Sequence, residues 1–225
     1  MKIGVDSLRG FSFLIALVFL LGPRPGSAQT GNTSLAADNL RPGNEDITNH
    51  ESGDTPKGIT KDQRLKWFIE STVGPRSLVA GAASAGIRTG LHRPPEYGAN
   101  VQGFAQRYEM RLAGVATENA IEATIGAIWR EDPRYFRVPN EHFGGRVRNV
   151  IKMTFVAYRS DGKLYPAYAR YIGISGGNFL ANSWRAHSEA NLHDAALRSL
   201  VGLLGRMGSN AFQEFWPDVK RRVFH

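Results

Sequence analysis

The strongest constraint on the fold is a run of small residues between Leu78 and Ile87, where glycine, alanine and serine fill nearly every position. Helical spacing predicts a helix from Pro75 to Leu91, although each interior glycine costs about 1 kcal/mol relative to alanine. Small residues four positions apart let two helix backbones approach closely, and that packing can offset the cost. We therefore expect close packing through the small residues of this helix, namely Gly81, Ala85, Gly86 and Gly90.

Small residues recur in two later helical segments. One long helix, or two, is predicted from Asn100 to Arg130, and another from Ala167 to Trp184, where Gly173 and Gly177 are four apart. Sustained apolar–polar alternation is absent, which disfavours strands. The sequence therefore predicts an all-α fold, a compact bundle of five or six helices with Gly/Ala-rich helix–helix interfaces.

Other segments complete the predicted domain over residues 59–225. Thr60 to Gln63 resembles a capping box and opens a helix that ends near Gly74. Residues 142–158 form a basic amphipathic segment. The last long helix is predicted from Glu189 to Phe215, and Pro217 is expected to open a short terminal turn.

The N-terminal region carries the signature of an export signal. A basic start is followed by an apolar run over residues 11–21 and by small residues before Gln29. This order predicts a signal peptide over residues 1–28. Residues 29–58 lack aromatic residues and are rich in polar residues, which predicts a disordered tail or linker. We expect an exported protein of the periplasm or outer envelope of a bacterium.

Charge and cysteine content narrow the classes of function. The chain carries a formal net charge of +8, which suits either an anionic membrane surface or ordinary solubility. No nucleic-acid partner is expected, because the basic residues are dispersed. The chain has no cysteine, which excludes disulfides, thiolate metal sites and cysteine nucleophiles. No cofactor motif is present, so no cofactor is predicted.

Three motifs carry a resemblance to other proteins. They are Asp-Pro-Arg-Tyr-Phe over residues 132–136, Phe-Gly-Gly-Arg over residues 143–146 and Phe-Trp-Pro-Asp over residues 215–218. The chain resembles a group of uncharacterised exported bacterial proteins that share the first and last of these motifs. The resemblance implies bacterial origin and export, and no activity comes with it. By their chemistry, the motifs are expected to form structural corners at helix ends.

Two small groups of polar residues are the weak candidates for chemistry. Glu118 and Glu122 share a helix face, which allows acid–base catalysis or salt bridges to arginines such as Arg111 or Arg146. Glu189 and His193 are also four apart and could bind a metal, although a helix cap in the same segment is the simpler interpretation.

The basic segment is the best candidate for binding. Arg146, Arg148 and Lys152 accompany an apolar stripe, a pattern typical of a helix on anionic lipid, and also of a core-facing helix with a solvated basic face. The leading hypothesis is a non-enzymatic cell-envelope protein, membrane-associated or self-associating. The alternatives are a carrier of a hydrophobic ligand and a carboxylate-dependent hydrolase.

Overall fold

The computed structural model describes residues 58–224, so the predicted signal peptide and nearly all of the predicted tail lie outside the described residues. Within this range the chain forms six α-helices, two 3₁₀ turns and one small sheet. The helices are α1 (Lys61–Val73), α2 (Pro75–Gly90), α3 (Val101–Trp129), α4 (Phe143–Phe155), α5 (Tyr168–Ala181) and α6 (Leu192–Phe224). The prediction of an all-α bundle of five or six helices is confirmed.

Local sequence signals account for the helix boundaries. Thr60 caps α1 in a capping box with Gln63, and Gly74 separates α1 from Pro75 at the start of α2. The side chain of Asn100 accepts a hydrogen bond from the Gly103 N–H at the start of α3. The segment from residue 100 to 130 is a single helix, and its end is marked by Arg130 in the left-handed region (φ 58°).

Helix α3 lies at the centre and contacts α1, α2 and α5. A Cβ atom on Gly177 would lie 2.6 Å from Cγ of Glu118, and one on Gly173 would lie 2.8 Å from the Glu118 carbonyl oxygen. On the other side, a Cβ atom on Gly81 would lie 2.9 Å from the ring of Tyr108. Glycine is therefore required where α5 and α2 cross α3, which confirms the Gly/Ala-rich interfaces.

Not every predicted packing residue serves that purpose. Ala85 is buried beside Gly81, but Gly86 and Gly90 are exposed. The nearest atom to a Cβ on Gly86 would be a ring carbon of Phe104 at 4.0 Å, and a Cβ on Gly90 would meet nothing within 4 Å. Their small size is not used by any helix contact among the described residues.

A small antiparallel sheet departs from the expectation of poor strand formation. Its strands are β1 (Glu131–Asp132), β2 (Val156–Arg159) and β3 (Leu164–Pro166), in the order β1–β2–β3. Gly162, with φ 74°, makes the turn between β2 and β3. These strands are too short to show an alternating pattern, and the pairing of β1 with β2 depends on residues that are distant in sequence.

The terminal helix also differs from its prediction. It begins at Leu192 rather than Glu189, because residues 187–189 form a separate 3₁₀ turn. It also continues through Pro217 to Phe224, so the expected terminal turn is wrong. Helix α6 packs against α5 and α4, and Pro217 lies within it.

Candidate functional site

Helix α6 has an inverted distribution of polar and apolar residues. Ser199, Asn210 and Glu214 are buried, and Glu214 is 0 % exposed. Every fully exposed residue between positions 196 and 216 is uncharged. Over these residues the apolar side of the helix therefore faces outward, and the polar side faces the bundle.

Helices α5 and α2 present uncharged outer sides as well. On α5, Arg170 and Asn178 are buried while Ile172 and Phe179 are exposed. On α2, each exposed residue over 78–87 is uncharged, and the exposed Arg76 in its first turn lies over the ring of Phe212 on α6. We name these exposed side chains the apolar outer face, and its large members are Val79, Ile87, Ile172, Phe179, Leu180, Leu197, Leu200, Val201, Leu204, Phe212 and Trp216. Contiguous exposed apolar area is unusual on a soluble monomer and marks contact with a membrane or another protein.

The interior opposite this face contains a buried ion-pair cluster around Glu122. Its carboxylate pairs with Arg170 and with Arg206, which come from α5 and α6. Arg170 also donates to the carbonyl oxygens of Met153 and Thr154, at 2.7 and 2.9 Å. Burial lowers the pKa of the Arg170 guanidinium, and the Glu122 carboxylate opposes that shift. Glu122 therefore joins three helices through charge, with partners other than Arg111 and Arg146.

Glu118 lies at the contact between α3 and α5, which we name the α3–α5 seam, and its partner is an amide rather than an arginine. Its Oε1 accepts a hydrogen bond of 2.7 Å from Nδ2 of Asn178 on α5. Burial raises the pKa of Glu118 to about 7, against the opposing effect of Arg185 and Arg206. The carboxylates do share a face, as the spacing predicts. Glu122 is paired with two arginines, whereas Glu118 is hydrogen-bonded to an amide.

The motifs behind the resemblance meet at one corner. The Tyr135 hydroxyl donates to Oε2 of Glu214 at 2.8 Å, and Arg146 Nε donates to Oε1 at 2.8 Å. Arg146 also pairs with Asp218 at 2.6 Å and lies over the ring of Phe215. Desolvation and the hydrogen bond to Glu214 raise the pKa of the Tyr135 hydroxyl. All these contacts are internal to the corner.

The three basic residues predicted to form a binding surface do not all face the same way. Arg146 turns inward, with a side chain that is 13 % exposed, because Glu214 and Asp218 hold it. Arg148 and Lys152 are exposed. Beside them on α4 lie exposed Phe143 and other apolar residues. The outward basic side of α4 therefore consists of Arg148 and Lys152 alone.

The candidate metal ligands are not brought together. Glu189 lies in the 3₁₀ turn and pairs with Arg88 and Arg185, whereas His193 lies in the first turn of α6, 3.7 Å from Asp194. Since the two residues belong to different elements, the i,i+4 spacing does not apply to them. Within residues 58–224 there is no group of three His, Cys, Asp or Glu side chains placed to hold a metal ion.

Space for a ligand inside the described domain is small. A gap between α3, the sheet and α5 is too narrow to hold a water molecule. Charged residues contribute to its lining, namely Glu122, Glu131, Asp132 and Arg170. Among the helices of the described region, none is both long and apolar enough to cross a membrane.

Comparison with known proteins gave no match to a family model, to a curated protein or to a solved structure. The resemblance to exported bacterial proteins therefore stays a prediction.

The sequence analysis missed the arginines that organise the interior. Arg170, Gly173 and Gly177 follow helical spacing on one face, so the glycines predicted to pack already implied that Arg170 is buried with them. In α6, Arg206, Asn210 and Glu214 form a polar stripe at the same spacing. This signal was present, but polar stripes usually indicate the solvent side of a helix.

Proposed function

We propose that this protein is a non-enzymatic, membrane-associated component of the bacterial cell envelope, which contacts acyl chains through the apolar outer face. The observation that carries the proposal is the inverted polarity of α6 between residues 196 and 216. In this stretch Glu214 is buried, Arg198 and Arg206 bond to interior partners, and every exposed residue is uncharged. Removal of apolar surface from water stabilises by about 25 cal/mol per Å². Insertion of this face into lipid would therefore be strongly favourable.

The interior supports the same proposal. Charges in an apolar environment are costly unless they are paired, and Glu122 pairs with two arginines. Small residues at the α3–α5 seam bring the backbones together without large apolar side chains, as in helix packing within lipid. Arg148 and Lys152, beside exposed Phe143, would add attraction to anionic headgroups.

The alternatives receive less support. A carrier of a hydrophobic ligand needs an apolar cavity, and the narrow gap between α3 and α5 is lined partly by charged residues. A hydrolase needs an accessible carboxylate, whereas Glu122 is buried between arginines. Self-association through the apolar outer face remains the competing explanation for its exposure.

Cell fractionation tests the proposal directly. The membrane pellet of the producing cell is washed with high salt and then with detergent. We expect release only by detergent, because apolar contacts are insensitive to screening. Recovery of a monomer in the detergent-free soluble fraction would overturn the proposal. A detergent-free oligomer that ignores vesicles would establish self-association in its place.

A matched pair of variants assigns the effect to the face. The double substitution L200Q/L204Q places two amides on the outer side of α6, and V101Q places one at an exposed site at the start of α3. We expect the α6 variant to move into the salt-released or soluble fraction while V101Q stays with the membrane. Equal behaviour of the two variants would argue against lipid contact at α6.

A further inference from the structure

Three arginines converge on Glu189, two on its carboxylate and one on its backbone oxygen, at the end of the bundle where α2 and α5 end and α6 begins. Arg88 pairs with Oε1 of Glu189, and Arg185 Nη1 lies 3.7 Å from its Oε2. Arg198 Nη1 donates to the backbone oxygen of Glu189 at 2.8 Å. We name Arg88, Arg185 and Arg198 the arginine cluster.

The three guanidinium groups of the cluster lie close to one another and to several carboxylates. Besides Glu189, the pKa of the Arg198 guanidinium is affected by Asp194 and Glu118, whereas Arg88 repels both Arg185 and Arg198. Burial raises the pKa of Glu118 to about 7, and the Glu96 carboxylate accepts hydrogen bonds from Ser188 in the turn that contains Glu189. Burial lowers the pKa of Arg185, which shows the cost of holding this cation away from water.

Hydrogen-bonding capacity at the cluster is also unused. Among the described residues, the buried N–H groups of Arg185 Nε and Arg198 Nε have no hydrogen-bond partner, and neither does the adjacent indole N–H of Trp184. Buried donors are nearly always paired, so two unpaired guanidinium N–H groups at one cluster of arginines indicate a missing acceptor. Guanidinium groups match the oxygens of a phosphate group particularly well.

We propose that the arginine cluster is a binding site for a phosphate group, which takes the place of the Glu189 carboxylate between Arg88 and Arg185. The Glu189 side chain is 19 % exposed and belongs to the three-residue turn over residues 187–189, so its withdrawal opens the site to solvent. Glu189 is in this sense an internal competitor for the bound anion.

The position of the cluster suggests the source of the phosphate. The uncharged outer sides of α2 and α5 end near it, at Ile87 and Leu180, and the uncharged side of α6 begins beside it at Ala196. If the proposed membrane association holds, phospholipid headgroups would lie at this level. Free inorganic phosphate shares the same chemistry and is the other source.

Binding is first measured without lipid, on the full chain in an uncharged maltoside detergent that contains no phosphate. Inorganic phosphate is added, and the thermal midpoint and the heat of binding are followed. We expect saturable binding that R185Q weakens at least about tenfold, since bonds to charged groups are the strong ones. R88Q, at a partly exposed site, gives the same test if R185Q fails to fold.

Two further variants distinguish binding at a specific site from nonspecific attraction of phosphate to a basic protein. E189Q removes the competing charge, so we expect phosphate to bind about tenfold more tightly to it. R148Q removes an exposed arginine outside the cluster and should leave the affinity unchanged. An equal loss in R148Q and R185Q, or weaker binding by E189Q, would overturn the proposal.

A lipid arm identifies the source and keeps the two proposals apart. In bicelles containing phosphatidylglycerol, broadening of the lipid ³¹P signal by the native protein but not by R185Q or R88Q supports a headgroup site. Saturable phosphate binding in detergent without that broadening supports a free anion. Absence of both effects overturns the site, even where fractionation still shows membrane association.

Discussion

The α3–α5 seam and the outer side of α2 use the same sequence pattern in opposite ways. At the seam, Gly173 and Gly177 face α3 so closely that an added Cβ would lie under 3 Å from an atom of Glu118. On α2, Gly86 and Gly90 also lie four apart, yet both are exposed. Small-residue spacing therefore shows that a helix can pack closely, and the position of the neighbouring helix determines whether it does.

The largest effect is expected from removing the charge of Glu122 at the α3–α5 seam. E122Q leaves Arg170 buried without a full counter-charge, which should lower the free energy of unfolding by about 3–5 kcal/mol. Chemical denaturation measures the loss. E109Q, at an exposed glutamate of the same helix, should change it by less than about 0.5 kcal/mol. Equal effects would mean that the Glu122 cluster does not hold the seam.

The next effect depends on pH and concerns Glu118. Since its pKa is raised to about 7 in the folded protein, the folded state binds the proton more tightly than the unfolded state. The stability from this group is full below pH 4.5 and declines as pH rises toward 7, by about 3 kcal/mol in all. E118Q should remove this decline from the difference between variant and native protein. An unchanged pH profile would refute the raised pKa.

A smaller effect comes from the glycines of the seam. G177A places a methyl group 2.6 Å from Cγ and 3.1 Å from Cα of Glu118, so α5 must shift. Overpacking of this kind should destabilise by about 1–3 kcal/mol. G176A is the matched control, because its nearest contact would be Ile121 Cδ1 at 3.9 Å. A neutral G177A would show that the seam is looser than the contacts indicate.

The smallest effect lies on α2 and has the opposite sign. G86A adds a methyl group whose nearest contact is 4.0 Å away, so the higher helix propensity of alanine should stabilise by about 0.5–1 kcal/mol. The measurement is again denaturation, in dilute detergent. Destabilisation would mean that a second copy of the chain packs against this face and needs the glycine.

Prediction from sequence succeeded where local chemistry decides the outcome. The capping box at Thr60, the glycine before Pro75 and the ends of α3 were all found, because capping depends on neighbours in the chain. The continuation of α6 through Pro217 and the pairing of Glu131 with Arg159 were missed. Each depends on packing or pairing with segments far away in sequence.

In the candidate site too, relations between neighbours in the chain were predicted and contacts between distant segments were not. The sequence placed Glu118 and Glu122 on one face, and it identified Arg148 and Lys152 as basic positions on α4. It did not show that Arg146 turns toward Glu214, since these residues are 68 positions apart. Nor could it assign Glu122 to Arg170 and Arg206 instead of nearer arginines.

By itself, the sequence determined that the domain is helical, where most helices begin and end, and that glycine and alanine mediate their contacts. Helical spacing also defined which residues share a face, because 3.6 residues per turn is a local property. Only the tertiary structure decided which face turns inward. Close glycine contacts leave no room for leucine or phenylalanine in the seam, and Glu122, Arg170 and Arg206 satisfy one another there. Many large apolar side chains of α2, α5 and α6 are therefore exposed, although Trp67, Met153 and Ile174 are buried.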